Sequence, residues 1–514
     1  MPLSQSETLS ALALALWPIS ARGGLFGWML WHRLRLPHPP AAVAGCLSPC
    51  GAGCGGGRRR CSCSLHTAWT PPEPLPPPLL GTFEDCPFAH DTITNRLPNA
   101  ILTRTVELNV AALDAASRRN LDTLQRTLAD GDAALLALPA DGGGGDIEQW
   151  WAAHAAPLLG GSWAVAPWFT SETLAYRHVL AATGFFDAAS PLHAFDIFGH
   201  EKWQGLRAAL PRLREMVAQH EEVAAAAAAG RPGNFEVLTS LIHMSLWGNQ
   251  ADSSLWAAGA HPDLEEHAQQ GEAGAAGSRP PGDQRLLVDD SAAACAALLA
   301  GPGGGVVVVV CDNSGMELVC DLLLARWLLA RGHASHVELV VKPAPFYVSD
   351  ATAPDVDLTL AALTQDPSTA LGRLGRDCLR HMVTGKLSVR PDAFWSSPLA
   401  AWEMPAARRA ALAAARLVVV KGDLQYRKLL GNRRWPHATP FADVVRGFPA
   451  PLLSCRTLKA PLVVGLSDGA VAALDATDAE WRVNGTRGTV HFAPAPPPLG
   501  GITSSRKVRV RRGE

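Results

Sequence analysis

The hydrophobic pattern changes character near the middle of the chain. From about residue 84 to 256 apolar positions recur at helical spacing, with helices predicted over Leu108–Leu128, Ile147–Leu159, Ser171–Ala182 and Phe235–Leu246. Ala137–Gly145 and Glu221–Gly233 are Ala/Gly-rich and read as surface loops or a padded helix end. Residues 257–284 are polar, rich in Gly, Ala and Pro, and without period, so a disordered insertion is expected there. Beyond it, strand candidates recur at 306–311, 336–341, 416–421, 452–456 and 462–466, several of them separated by helical stretches. Strands alternating with helices imply an α/β domain with a doubly wound, mostly parallel Rossmann-like sheet. The predicted organisation is a head (1–83), a helical cap domain (84–256), the insertion (257–284), an α/β catalytic domain (285–495) and a basic tail (496–514).

The strand at 306–310 is five consecutive valines, as expected where both faces of a parallel strand are covered. It runs into Cys311-Asp312-Asn313-Ser314-Gly315 and then an apolar helix from Glu317. Asp312 and Asn313 therefore stand where a strand gives way to a helix, the edge at which open α/β sheets bind ligands. Gly303–Gly305 precede the strand, which excludes a dinucleotide phosphate loop, since that loop follows its strand.

Other strand ends deliver similar chemistry. His336–Val341 leads into Lys342-Pro343-Ala344-Pro345-Phe346-Tyr347-Val348-Ser349-Asp350, where the prolines force an extended exit. Leu417–Lys421 leads into Gly422-Asp423-Leu424-Gln425-Tyr426-Arg427, and another strand into Cys455-Arg456-Thr457-Leu458-Lys459. Two carboxylates and an amide carbonyl are hard oxygen donors suited to Mg²⁺ or Mn²⁺. Arg427, Arg456 and Lys459 supply cations for a phosphate. Each element has a plainer reading: Asp312, Asn313 and Asp423 as helix caps, Asp350 as a turn residue, Glu317 as a response to the helix dipole, the cations as solvated surface. Asn249 and Asp252, polar at the end of an apolar helix, are secondary candidates against the same capping alternative.

Composition narrows the classes. At 514 residues the chain exceeds what one core usually supports. Its 45 Lys and Arg against 47 Asp and Glu argue against nucleic acid as a partner. Residues 8–72 lack Asp and Glu but carry six arginines (22, 33, 35 and 58–60), the composition of an organelle transit peptide; an erroneous gene-model extension reads equally well. The apolar stretch at 11–31 is interrupted by Pro18, Arg22 and three glycines, so no membrane span is expected. Cys46, Cys50, Cys54, Cys61 and Cys63 have no paired knuckle spacing for zinc. The remaining cysteines are scattered singly and read as reduced core thiols of an intracellular protein, cytoplasmic or, if the head is a transit peptide, organellar. There is no Gly-x-Ser-x-Gly elbow, and the histidines show no metal spacing, which sets aside serine hydrolases and zinc proteases.

The set Asp312-Asn313-Ser-Gly-Met-Glu317, Lys342 to Asp350, Lys421-Gly-Asp-Leu-Gln-Tyr-Arg427-Lys-Leu and Arg456-Thr-Leu-Lys459 resembles the damage-control phosphatase family (domain of unknown function 89), in its Arg-Thr-x-Lys subfamily. The helical half agrees at Phe88–Pro98, Trp168–Glu172 with Tyr176-Arg177, and Ser245–Asp252. The resemblance implies a metal-dependent phosphatase of small phosphorylated metabolites, hexose phosphates such as fructose 1-phosphate in particular. By position Asp312, Asn313 and Asp350 correspond to metal ligands for Mn²⁺, Ni²⁺, Co²⁺ or Mg²⁺. Asp423, Leu424, Gln425, Tyr426, Arg427 and Lys459 correspond to substrate-binding groups, with Gln425 standing where the family pattern has Asn. Members of this subfamily are also described as S-adenosylmethionine-dependent carboxyl methyltransferases, for which Glu317 and Asp350 are candidate contacts. A non-catalytic sugar-phosphate sensor is the third alternative.

Overall fold

Alternate valines of the central strand enter two different cores, and that split organises the whole molecule. Val308 and Val310 pack into one apolar cluster, Val307 and Val309 into the other. The computed structural model describes residues 71, 73–140, 146–227, 233–248, 285–301 and 303–495. The described residues from 71 onward belong to one compact unit.

Seven strands form one mixed sheet in the order β1-β7-β6-β5-β2-β3-β4. They are β1 (Leu286–Asp289), β2 (Val306–Val310), β3 (His336–Val341), β4 (Leu387–Pro391), β5 (Ala415–Lys421), β6 (Leu452–Thr457) and β7 (Gly488–Ala493). Strands 4, 3, 2, 5 and 6 run parallel, β7 lies antiparallel on β6, and β1 runs parallel to β7. From β2 the chain winds outward through β3 and β4, then returns to β5 on the other side of β2. The topological switch point thus falls between β2 and β5, where Asp312 and Gly422 emerge.

The helices divide between the faces. On one side lie α1 (Pro87–Asp91, widened over Thr92–Leu102 around Pro98, regular again over Thr103–Leu108), α2 (Ala115–Ala129), α3 (Asp146–Ala155), α4 (Trp168–Ala182) and, later in the chain, α11 (Ala406–Ala413). Their buried residues, such as Leu97, Leu124 and Trp168, share a core with Val308 and Val418. On the other side lie α5 (Gly199–Ala227) and α6 (Gly233–Trp247), followed by α7 (Ser291–Leu299), α8 (Met316–Ala330), α9 (Ala353–Gln365) and α10 (Thr369–Val383). The helical half therefore covers both faces of the sheet and shares both cores with it. Lys202 of α5, 5% exposed, bonds Asp196 at 2.9 Å and Asp355 of α9 at 2.8 Å, a buried tie between the two halves.

Four of the five predicted strands form. Residues 462–466 do not: Gly465 turns the backbone at φ +81°, and Val464 N–H donates to the Tyr426 hydroxyl instead of a strand. Three strands were missed because β1, β4 and β7 are short or mix polar with apolar residues. The insertion at 257–284, the head as far as residue 70, the tail from 496, and both Asn249 and Asp252 lie outside the described residues. No helix among the described residues is long and apolar enough to cross a membrane.

Candidate active site

Three strand ends build the floor of a cleft. Just past β2, Asp312 and Asn313 are 5% and 4% exposed. The segment after β3 folds back onto them. Tyr347 and Val348 both adopt left-handed backbone (φ 45° and 66°), unusual for residues with a Cβ, and this tight reversal returns Ser349 and Asp350 to the strand end. Ala351 N–H donates to the Asp312 carbonyl at 2.7 Å, Ser314 N–H to the Ser349 carbonyl at 2.8 Å, and Asn313 pairs with Asp350 in an antiparallel bridge. Backbone bonds thus hold the two carboxylates and the carboxamide together.

Past β5, Gly422 (φ +84°) opens α12 (Gly422–Leu429) directly beside Asp312. A Cβ there would lie 1.8 Å from Asp312 Oδ2, so only glycine leaves room for the carboxylate. Gly422→Ala is expected to displace Asp312 and to cost at least about 1–3 kcal/mol of stability from backbone strain alone. A denaturant midpoint equal to wild type would refute this reading of the turn.

Side chains complete the arrangement. The Asn313 amide donates to Asp312 Oδ2 (3.1 Å) and Glu317 Oε2 (2.8 Å), while its carbonyl accepts from Ser349 Oγ at 2.6 Å. That carbonyl has a second lone pair. Lys342, 1% exposed, places Nζ 3.1 Å from the Cys311 carbonyl and 3.2 Å from Asp350 Oδ2. Behind the floor Lys421 Nζ donates to Glu317 (2.8 Å), Asp321 (3.1 Å) and the Ser245 carbonyl of α6 (2.8 Å). Burial pushes the Asp312 carboxyl well above the usual range, and the neighbouring Glu317 and Asp350 charges push the same way.

The cleft encloses about 660 Å³ of empty space, counted out into open solvent. Of the residues expected from sequence, Asp312, Asn313, Asp350, Asp423, Leu424, Arg427 and Lys459 line it together. Four others stand behind it. Gln425 donates to the Trp395 carbonyl at 3.0 Å, and Tyr426 is fully buried against Phe441 and His491. Glu317 belongs to the Lys421 network. The Arg456 guanidinium is consumed by Asp423 Oδ1 at 2.8 Å and by the carbonyls of Ala460 (2.8 Å) and Leu462. Asp423 Oδ1 also accepts from Lys459 N–H at 3.0 Å, so Arg456 and Asp423 brace the turn that carries Lys459 to the cleft.

The roof comes from the helical half. Phe88, Thr92, Arg96, Leu97 and Ile101 of the widened α1 line it, with Trp168, Glu172 and Tyr176 of α4. None was singled out individually, although all fall within or close to the helical motifs Phe88–Pro98 and Trp168–Tyr176. Arg427 is held by Glu172 Oε2 at 2.7 Å and lies 3.8 Å from the Trp168 ring centroid. Its Nη2 is buried without a hydrogen-bond partner among the described residues.

Among the described residues no group of three or more His, Cys, Asp and Glu side chains is disposed to hold a metal. The donor set here is two carboxylates and one carboxamide, all oxygen. Two buried carboxyl groups held side by side, with Gly422 leaving the space beside one of them, fit a hard divalent cation.

The damage-control phosphatase ARMT1-like domain matches residues 91–474. Damage-control phosphatase ARMT1 of Danio rerio is 29% identical over 459 residues, covering 82% of this chain and 97% of that protein. The Rattus norvegicus protein of the same name is 30% identical over 348 residues (64% and 75%), and the Bos taurus one 38% identical over 187 residues (36% and 42%). A solved DUF89 family protein from Pyrococcus horikoshii superimposes with a TM-score of 0.36 at 16% identity, over 73% of this chain and 91% of that one. With the family domain spanning three-quarters of its length, the chain belongs to the damage-control phosphatase ARMT1-like family.

Proposed function

We propose that the protein is a divalent-metal-dependent phosphomonoester hydrolase acting on small phosphometabolites, hexose phosphates such as fructose 1-phosphate foremost. The observation that carries this reading is the meeting of Asp312, Asn313 and Asp350 with Arg427 and Lys459 in one cleft. Asp312, Asn313 and Asp350 would hold the ion, Mn²⁺ or alternatively Ni²⁺, Co²⁺ or Mg²⁺. A bound divalent ion polarises a phosphoryl oxygen and offsets the developing charge.

The remaining work falls to the protein. Arg427 Nη2 is placed to donate to a phosphate oxygen, its orientation fixed by Glu172, Asn432 and Trp168. Lys459 supplies a mobile cation beside it. The roof residues Phe88, Trp168 and Tyr176 offer apolar surface to a sugar ring. Lys459→Ala is expected to raise KM for the phosphate ester by about ten-fold or more, as loss of one charge-assisted bond implies. An unchanged KM would remove Lys459 from the substrate site.

Metal binding supplies a further expected result. Mn²⁺ at 100 times its dissociation constant should stabilise the wild-type protein by about 2.7 kcal/mol. Because burial makes Asp312 hold its proton above the usual carboxylate range, and the ion requires the ionised form, this gain should fade as pH falls. A thermal shift with Mn²⁺ that stays constant down to acid pH would count against these ligands.

The reaction class is tested by phosphate release across a panel of hexose, pentose and triose phosphates, with S-adenosylmethionine-dependent methyl transfer followed in parallel. Release from sugar phosphates, fructose 1-phosphate most rapidly, is expected. Methyl transfer without phosphate release would overturn the proposal.

A further inference from the structure

The Arg427 guanidinium is clamped between two elements, and a third segment, remote in sequence, ties those elements together. Past the end of α12, Asn432 takes a left-handed backbone (φ 51°) that turns its groups back onto the helix. Its N–H donates to the Arg427 carbonyl at 2.8 Å, and its side-chain carbonyl accepts from Arg427 Nε at 3.1 Å. Asparagine adopts that conformation more readily than most residues with a Cβ. On the other side α4 sets the Trp168 ring against the guanidinium and, one turn later, the Glu172 carboxylate against Nη1.

Residues 76–81 run between the two. The Leu79 N–H donates to the Asn432 carbonyl at 3.0 Å. The Leu79 carbonyl accepts from the Trp168 N–H at 2.8 Å, one of the donors that the first turn of a helix leaves without an internal partner. A single buried residue thus joins both walls of the clamp. Its neighbours fasten it in place. The Pro76 carbonyl accepts from Arg433 Nη1 at 2.6 Å, and the Pro77 carbonyl from the Arg434 N–H at 3.0 Å. Leu80 pairs with Pro167 in an antiparallel bridge, and its N–H donates to Asp85 Oδ2 at 2.7 Å. Asp85 also pairs with the Arg434 guanidinium. Gly81 lies so close to the Ala164 backbone that a Cβ would meet its carbonyl oxygen at 2.8 Å. Pro76, Pro77 and Pro78 carry no N–H, so the stretch presents acceptors with no donor left to satisfy, and their fixed φ favours an extended run.

We infer that residues 76–81 are a positioning strap for the phosphate site, with Leu79 the positioning residue: by bonding Asn432 and Trp168 at once, it fixes the angle at which Arg427 enters the cleft. The inference rests on the reading that Arg427 meets the substrate's phosphate. Residues 76–81 do not line the cleft themselves, so the strap acts on substrate only through Arg427. The metal-ligand candidates are held by their own backbone bonds between the β2 and β3 exits, which the strap does not touch. Releasing Leu79 should therefore weaken phosphate binding and leave the chemical step little changed.

The test uses the full chain, with inorganic phosphate as probe, titrated calorimetrically in the presence of Mn²⁺ so that the readout does not depend on turnover. Leu79→Pro lengthens the proline run and deletes the N–H that meets Asn432. It is expected to weaken phosphate binding about five-fold, the worth of one net hydrogen bond, and to raise KM for a sugar phosphate alike, with kcat little changed. Leu79→Ala keeps both backbone bonds and loses only packing, so it should lower the melting temperature without moving phosphate affinity. If Leu79→Pro fails to fold, Asp85→Ala combined with Arg433→Ala takes its place. That pair loosens the strap from partly exposed positions, and Asp85→Asn with Arg433→Lys should restore the affinity. Arg427→Lys separates the two levels of the argument. If it binds phosphate as wild type does, or if wild type binds none, the reading of Arg427 fails and the inference falls with it. If Arg427→Lys binds more weakly while the strap variant matches wild type, the strap inference alone is overturned. Equal weakening by Leu79→Ala and Leu79→Pro would likewise overturn it, leaving Leu79 a packing residue.

Discussion

Lys421→Met is expected to destabilise the protein by about 3–5 kcal/mol, the usual cost of leaving a buried charge without its partner. Lys421 is fully buried and its ammonium is the cation shared by Glu317 and Asp321, themselves 1% and 0% exposed. Removing it leaves two carboxylates in an apolar interior and removes one of the bonds that fasten α6 beneath the site, that to the Ser245 carbonyl. The deficit should depend on pH with a definite sign. Burial already pushes Asp321 up to about 6, above its ordinary value. The folded state thus holds that proton more tightly than the unfolded one. The carboxylate therefore costs stability above about pH 6, and the cost fades as pH falls toward about 3.9. Without Lys421 the carboxyls should hold their protons more tightly still, so the variant should regain part of its loss between pH 7 and 5. Denaturant midpoints at the two pH values measure this; a loss under about 1 kcal/mol, or one that grows on acidification, would show that Lys421 does not neutralise the pair.

Asp312→Ala should lower turnover of a sugar phosphate by about a thousand-fold or more, the equivalent of several kcal/mol of transition-state stabilisation. Its effect on the fold should be small and opposite in sign to that of Lys421→Met. Asp312 is buried against Glu317 and Asp350, which raise its proton affinity, so deleting the carboxylate relieves repulsion in the metal-free protein. The Mn²⁺-dependent rise in melting temperature should disappear with it. Stability assays with and without Mn²⁺ separate this from a folding defect: a melting temperature that still rises with the ion would place the metal elsewhere.

How much of this was legible beforehand follows from burial. The β2, β3, β5 and β6 strands are apolar runs because both faces of a parallel sheet are covered, and such runs are visible in sequence. The strand β4, Leu387–Pro391, sits at the sheet edge with Arg390 half in solvent, bonded to Glu338 across the ladder, so no apolar run announces it. The strand ends were legible as places where chemistry gathers, since that depends on connectivity alone. Which side chains turn toward the cleft was not. On α12 Asp423 and Arg427, four residues apart, share one face with Leu424, while Gln425 and Tyr426 turn into the core. Arg456 is still within β6 and points inward, whereas Lys459 lies past its end. The contribution of α1 was hidden for a different reason: its widened turns around Pro98 break the ordinary helical period.

Phosphate release from fructose 1-phosphate by protein stripped with EDTA and then resupplied with Mn²⁺ bears most directly on the metal-dependent phosphatase reading, with Asp312→Ala run beside it. Release that is absent after stripping, restored by Mn²⁺ and missing from the variant is the expected result. Release that persists in EDTA, or that Asp312→Ala retains, would contradict it.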